Sequence, residues 1–163
     1  MDTPRDLFEH ELLDMYDAEQ RLAKTLPKMA KEAVDKTLRS GFEKHAEQTK
    51  GHVERIEEAC RMLGIKAEAE TCPGMAGLLK EHDTFLKEKP SEEVLTLFLT
   101  SAAQKTEHYE MVGYRGLISM AKSLGEADVA DLLTETLKEE EQMAKELEKL
   151  EKRNQKELAA AGR

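Results

Sequence analysis

"LFLTSAAQKTEHYEMVGYRGLISMAKSLG", residues 97–125, decides how the rest of the chain is read. Steps of three and four from Leu95 reach Leu99, Ala103, Glu107, Glu110, Tyr114, Leu117, Ala121 and Leu124. That spacing is one face of an α-helix. The face is apolar at both ends and carries two carboxylates at its centre. Acids on a surface helix belong on the opposite side. Glu107 and Glu110 therefore stand where a core should be, and other helices must supply their partners. His108 lies about 100° around the helix from Glu107, so it reads as a surface or supporting residue.

Three more long helices follow from the same periodicity. The first runs over about residues 4–35, with Pro4 in its first turn and Asp6 where an acid suits the helix dipole. Its stripe is Phe8, Leu12, Met15, Glu19, Leu22, Leu26, Met29 and Ala33, and Pro27 should kink or break it. The second runs over about 40–63, opening on Ser40 with Glu43 three residues on, and Gly64 stops it. Its stripe is Phe42, His45, Thr49, His52, Ile56, Ala59 and Leu63. A linker, "IKAEAETCPG", leads to a short helix over about 74–88. The stretch quoted first lies in a helix over about 91–124, opened by Ser91 and ended by Gly125. The last helix, about 126–155, has the stripe Ala130, Leu133, Leu137, Glu140, Ala144, Leu147 and Leu150, and the tail after it should fray.

Composition agrees. Gly (9), Pro (4) and aromatic residues (4%) are scarce, while Ala, Leu, Glu, Lys and Met abound. These are the strong helix formers, so the expected class is all-α. At 163 residues the chain is most simply one domain, 1–163. Four long helices whose apolar faces need one another make a four-helix bundle. Short turns follow the first and third long helices. The connection between the second and third is long and holds the extra short helix. One long crossover in the middle is the ferritin-like arrangement.

A net charge of −9 argues against a nucleic-acid binder and against docking on an anionic membrane. No run approaches the roughly 20 apolar residues of a membrane span, and no leader is read at Met1. Cys60 and Cys72 fit neither a disulfide framework nor zinc spacing. Buried thiols in a cytoplasmic protein are the default, and a disulfide clamping the linker is the alternative.

The polar breaks in the stripes sit near the middle of each helix: Glu19, His45 and His52, Glu107 and Glu110, and Glu140. Antiparallel packing brings them to one level. A buried carboxylate costs several kcal/mol unless paired or bound to a cation. Several converging carboxylates repel one another, and a pair of divalent cations cancels that repulsion. Carboxylate and imidazole suit iron, with manganese as the alternative. Carboxylate-bridged bundles use one Glu from each of two helices and a Glu-x-x-His from each of the others. Here Glu107-x-x-Glu110 stands on one helix, Thr49 precedes His52 by three, and Met143 follows Glu140 by three, so that motif is missing. His45 and His52 read equally as core histidines bonded to carboxylates. A small helix rotation would exchange Glu139 for Glu140. His10 and His82 read as surface residues. Tyr16, Tyr109 and Tyr114 read as packing residues, or as redox-active groups if iron is near.

The segments "LFEHELLDMYDAEQRLAKTLPKMA", "FEKHAEQTKGHVERI", "TCPGMAGL" and "AAQKTEHYE" resemble the YciE/YciF family of bacterial ferritin-like stress proteins. The likeness spans about Asp6 to Leu150. It implies a bundle of four long helices and one short one, often dimeric, with a stress-associated role. By kinship to rubrerythrins and ferritins it also implies a dinuclear metal centre. Carried over by position, Glu19, Glu107 and Glu110 are the expected metal-holding residues, His45 and Thr49 match the second-helix pattern, and Glu139 and Glu140 match the acidic pair of the last helix. Gln48 stands where relatives often have Glu, and Ala144 where they often have Asp.

Two functions are thus expected. One is a di-iron or di-manganese protein, homodimeric, handling peroxide, O₂ or iron, with ferroxidase- or peroxidase-like oxidoreductase chemistry. The other is a non-catalytic helical protein for stress protection or interaction that has lost the metal.

Overall fold

The computed structural model describes residues 1–160 and Gly162. It contains five helices: α1 (Pro4–Glu32), α2 (Lys36–Leu63), α3 (Pro73–Leu86), α4 (Glu92–Ser123) and α5 (Ala127–Ala160). No strand occurs among the described residues. Helices α1 and α2 form one hairpin, α4 and α5 the other, and the pairs meet through α2 against α5 and α1 against α4. Helix α3, inside the long crossover, lies on α4 and α1. The architecture is the expected ferritin-like bundle, and one continuous apolar core runs from Phe8 to Leu150.

The helix ends show why the chain turns where it does. Thr3 Oγ1 accepts from the Asp6 amide at 3.1 Å, and the Asp6 carboxylate accepts from the Thr3 amide at 3.1 Å, a reciprocal cap. Helix α2 starts at Lys36, earlier than the Ser40 start expected from sequence. Its cap is Asp35, which accepts from the Leu38 amide at 2.9 Å and from Arg153 of α5 at 2.5 Å. Arg39 closes the turn with two bonds, 3.1 and 2.8 Å, to the Ala33 carbonyl. Only Leu38 in this first turn is buried, too little for a periodicity to register. Helix α1 runs through Pro27 without a break; Pro27 is exposed, so the carbonyl that loses its partner one turn earlier is on the solvent side. Helix α5 continues five residues past the expected end, to Ala160. Its last turns are held by buried Asn154 and by Leu158, which shares a cleft with Val34 and Leu97.

Gly64, at φ +72°, ends α2 in the left-handed conformation that glycine adopts without strain. The linker then lies along α1. The Glu70 amide donates to the Leu13 carbonyl at 3.3 Å, and the Cys72 amide to Asp17 at 2.8 Å. Cys72 caps α3 through its sulfur, which accepts from the Met75 amide at 3.3 Å and lies 3.0 Å from Tyr109 Oη. Tyr109 lies so close over Gly74 that a Cβ there would sit 2.6 Å from its ring. Cys60 and Cys72 are both buried free thiols, so no disulfide clamps this linker.

Candidate metal centre

The six residues singled out from sequence all reach the core at one level. Glu19, His45, His52, Glu107, Glu110 and Glu140 are each at most 2% exposed. They come from four helices: Glu19 from α1, both histidines from α2, Glu107 and Glu110 from α4, and Glu140 from α5. Two overlapping clusters result. In one, single donor atoms of His45, Glu107, Glu110 and Glu140 lie within 4.8 Å of one another. In the other, Glu19, His52 and Glu140 do the same. Glu140 belongs to both. His45 Nε2 is 3.4 Å from Glu107 and 3.4 Å from Glu140. His52 Nδ1 is 3.3 Å from Glu19 and 2.9 Å from Glu140.

These distances do not amount to a satisfied network. Nine buried side-chain nitrogen and oxygen atoms among the described residues lack a hydrogen-bond partner. Seven of them belong to this cluster: both ring nitrogens of His45, one oxygen of Glu107, and both oxygens of Glu110 and of Glu140. The His52–Glu140 approach is close enough for a bond but not along a hydrogen-bonding direction. Buried polar atoms are normally paired, and each exception needs an explanation. Thr49 is not one, because its hydroxyl donates to the His45 carbonyl at 2.9 Å.

The electrostatics carry the same tension. Burial, reinforced by Glu140 and other carboxylates, pushes Glu107 and Glu110 well above the ordinary carboxylate range. Burial raises Glu19 against the pull of His52. Burial lowers His45. Burial also opposes charge on His52, but Glu19 and Glu140 outweigh it and push the imidazole up to about 10. Glu140 is held low despite its burial, because both histidines face it.

The donor inventory tests whether a dinuclear centre fits. The usual arrangement draws four carboxylates and two imidazoles from a bundle. This chain offers four carboxylates and two imidazoles, with both imidazoles on α2. Four carboxylates balance two divalent ions in charge, and the orphaned atoms supply lone pairs. The residues present fit two ions.

The contacts of several neighbours could not be read from the sequence. Glu139, read there as the rotational alternative to Glu140, turns away and accepts from His52 Nε2 at 2.9 Å. It is gripped by Arg55 at 2.8 and 3.2 Å. Tyr114 is wholly buried and its hydroxyl donates to Glu19 at 2.5 Å. Tyr16 is also buried, donating to Glu57 at 2.7 Å. His108 is exposed and donates to the Gln104 carbonyl at 2.9 Å, outside the cluster as expected. His10 is half-buried and pairs with Glu70 at 2.5 Å. The expectation that His82 is a surface residue is overturned. It is buried, pairs with Glu32 at 2.9 Å and stacks on Phe98. Glu32 comes from α1 and Phe98 from α4, and the neighbouring Asp83 on α3 meets its other ring nitrogen at 3.2 Å.

Four long helices, one long crossover and a buried carboxylate–histidine cluster define a ferritin-like protein. The chain belongs to the family described as Domain of unknown function (DUF892), which it matches over residues 3–160. It is 38% identical over 141 residues to Protein YciF of Escherichia coli (strain K12), covering 86% of this chain and 85% of that one. The crystal structure of the E. coli stress protein YciF superposes with a TM-score of 0.90 at 36% identity, over 94% of this chain and 98% of that one. YcfI from Rhodopseudomonas palustris gives 0.88 at 37% identity, over 90% and 94%. The protein XCC3681 from Xanthomonas campestris, at 21% identity, TM-score 0.71 and 92% of each chain, shares the fold. The resemblance noted in the sequence is thus borne out at the level of family and fold.

Proposed function

We propose that this protein holds two divalent ions, iron or alternatively manganese, in the bundle core and uses them to handle peroxide, O₂ or iron during stress. The observation that carries the reading is the set of seven partnerless buried atoms on His45, Glu107, Glu110 and Glu140. A chain with no ion to bind gains nothing from keeping such atoms in its core, where each costs about 1–3 kcal/mol. Kinship with the E. coli stress protein YciF supports the stress-related part.

The chain's own groups divide the work. Glu140 faces both positions and is their common ligand. His45, Glu107 and Glu110 complete one set, and Glu19 with His52 completes the other. Tyr114, bonded to Glu19, holds one oxygen of that carboxylate and leaves the other facing His52. Burial of all six side chains keeps bulk water away from the donors. When bound, reduced iron or manganese would supply electrons and Lewis acidity.

The second reading, a non-catalytic stress-protection or interaction protein, is favoured by the absence of any Glu-x-x-His motif in the cluster. Metal content separates the two. Untagged protein, loaded anaerobically with Fe²⁺ and dialysed, should retain about two ions per chain. The Glu19→Ala/Glu107→Ala double variant, which removes one ligand from each set, should lose them. A wild-type protein that retains none would establish the second reading instead.

A further inference from the structure

We infer that Glu139 and Arg55 are positioning residues for one of the two ions, the one between Glu19, His52 and Glu140. This rests on the metal-binding reading above. An imidazole offers a lone pair to a cation at one nitrogen only when its proton sits on the other. His52 Nδ1 is the atom that faces Glu19 and Glu140, at 3.3 and 2.9 Å. Nε2 points the opposite way and donates to Glu139 Oε2 at 2.9 Å. Ionised Glu139 is an acceptor only, so it keeps a proton at Nε2 and leaves Nδ1 for the ion.

Glu139 is itself fixed. Arg55 Nη1 reaches its Oε2 at 2.8 Å and Nη2 reaches its Oε1 at 3.2 Å, a two-pronged grip. Nη1 also donates to the wholly buried Thr136 hydroxyl at 3.2 Å, tying the guanidinium to α5. Both Glu139 oxygens are thereby occupied, which removes it from the ligand set and explains why Glu140 alone enters. His45 offers the contrast: neither of its ring nitrogens has a hydrogen-bond partner. The two positions are therefore unequal. His52 is oriented before any ion arrives, and His45 has no arginine-held carboxylate bonded to its ring.

Equilibrium dialysis with Mn²⁺ on the full chain tests this, using Glu139→Ala, Arg55→Met, Arg55→Lys and Glu135→Gln. Glu135 touches the same arginine at 3.8 Å but not His52, so its variant is the control. Glu139→Ala and Arg55→Met should weaken one ion about 10–100-fold and leave the other. Stoichiometry then falls from two to one, and the electron paramagnetic resonance of a coupled Mn²⁺ pair gives way to that of isolated ions. Arg55→Lys should recover part of the loss, and Glu135→Gln should match wild type. In Zn²⁺-loaded protein, nitrogen-15 NMR should show an exchange-protected Nε2–H on His52 that Glu139→Ala loses. Circular dichroism confirms that each variant is folded. Two ions at wild-type affinity in both disruptive variants, or equal weakening of both ions, would overturn the positioning role alone. No ion in wild type would overturn the proposed function and this role with it.

Discussion

Both carboxylate oxygens of Glu110 are buried without a partner, and burial beside Glu140, Glu19 and Glu107 lifts its pKa well above the usual range. In metal-free protein this side chain is a burden. Replacing it with an apolar group of similar size removes an unsatisfied buried group worth about 1–3 kcal/mol. Glu110→Met should therefore unfold at higher denaturant than wild type when both are metal-free, and should lose the increment that Mn²⁺ gives wild type. Chemical denaturation with and without Mn²⁺ checks both; a destabilised metal-free variant would contradict the argument. This residue was legible in the sequence because an acid inside a 3.6-residue stripe breaks a strong pattern. Glu139, Arg55 and His82 were not, because what they touch depends on helix rotation and on residues 50 to 87 positions away.

Among the elements, the turn between α1 and α2 shows where local patterns mislead. Ser40 and Glu43 look like a cap, yet the cap is Asp35, which also receives Arg153 from the far end of α5. Asp35→Ala should cost about 1–2 kcal/mol, since it removes a helix cap and a contact between hairpins. Ser40→Ala, at an exposed position inside the helix, should change stability by less than about 0.5 kcal/mol. Thermal unfolding of the two variants separates the assignments. The expected boundaries at Pro4, Gly64, Ser91 and Gly125 stand, because there the capping signal and the apolar period coincide. At Lys36 the period is nearly silent, and the short turn is set by Arg39 on Ala33.

For the molecule as a whole, the buried titratable groups fix the sign of its pH response. Glu107, Glu110 and Glu19 are raised above 4.5, so the folded chain holds protons there that the unfolded chain releases. His52 is raised from 6.5 to about 10, so it too holds a proton that is lost on unfolding across that window. Both effects make stability fall as pH rises. His45, lowered from 6.5, acts in the opposite sense, but only below 6.5. Glu139 and Glu140 are lowered, so their contribution is complete above 4.5 and lost only in acid. Metal-free protein should therefore melt progressively lower from about pH 6.5 to 9, by up to about 1.4 kcal/mol per pH unit for each proton retained. Protein loaded with Mn²⁺ should not show this decline, because the ions replace the protons. Calorimetry in chelator and in Mn²⁺ reads both curves, and a metal-free melting point that rises with pH would refute the linkage.

The division of the ligands between the hairpins has a mechanical consequence. Helices α1 and α2 hold Glu19, His45 and His52, and α4 and α5 hold Glu107, Glu110 and Glu140. Each of the two clusters draws on both hairpins. An ion at either position would be a further crosslink between two units that already meet through apolar packing and through ion pairs such as Arg153–Asp35 and Arg55–Glu139. It would oppose the parting of one hairpin from the other, while leaving the fraying of helix ends untouched. Amide hydrogen exchange would register that difference as protection confined to the middle turns of the four long helices.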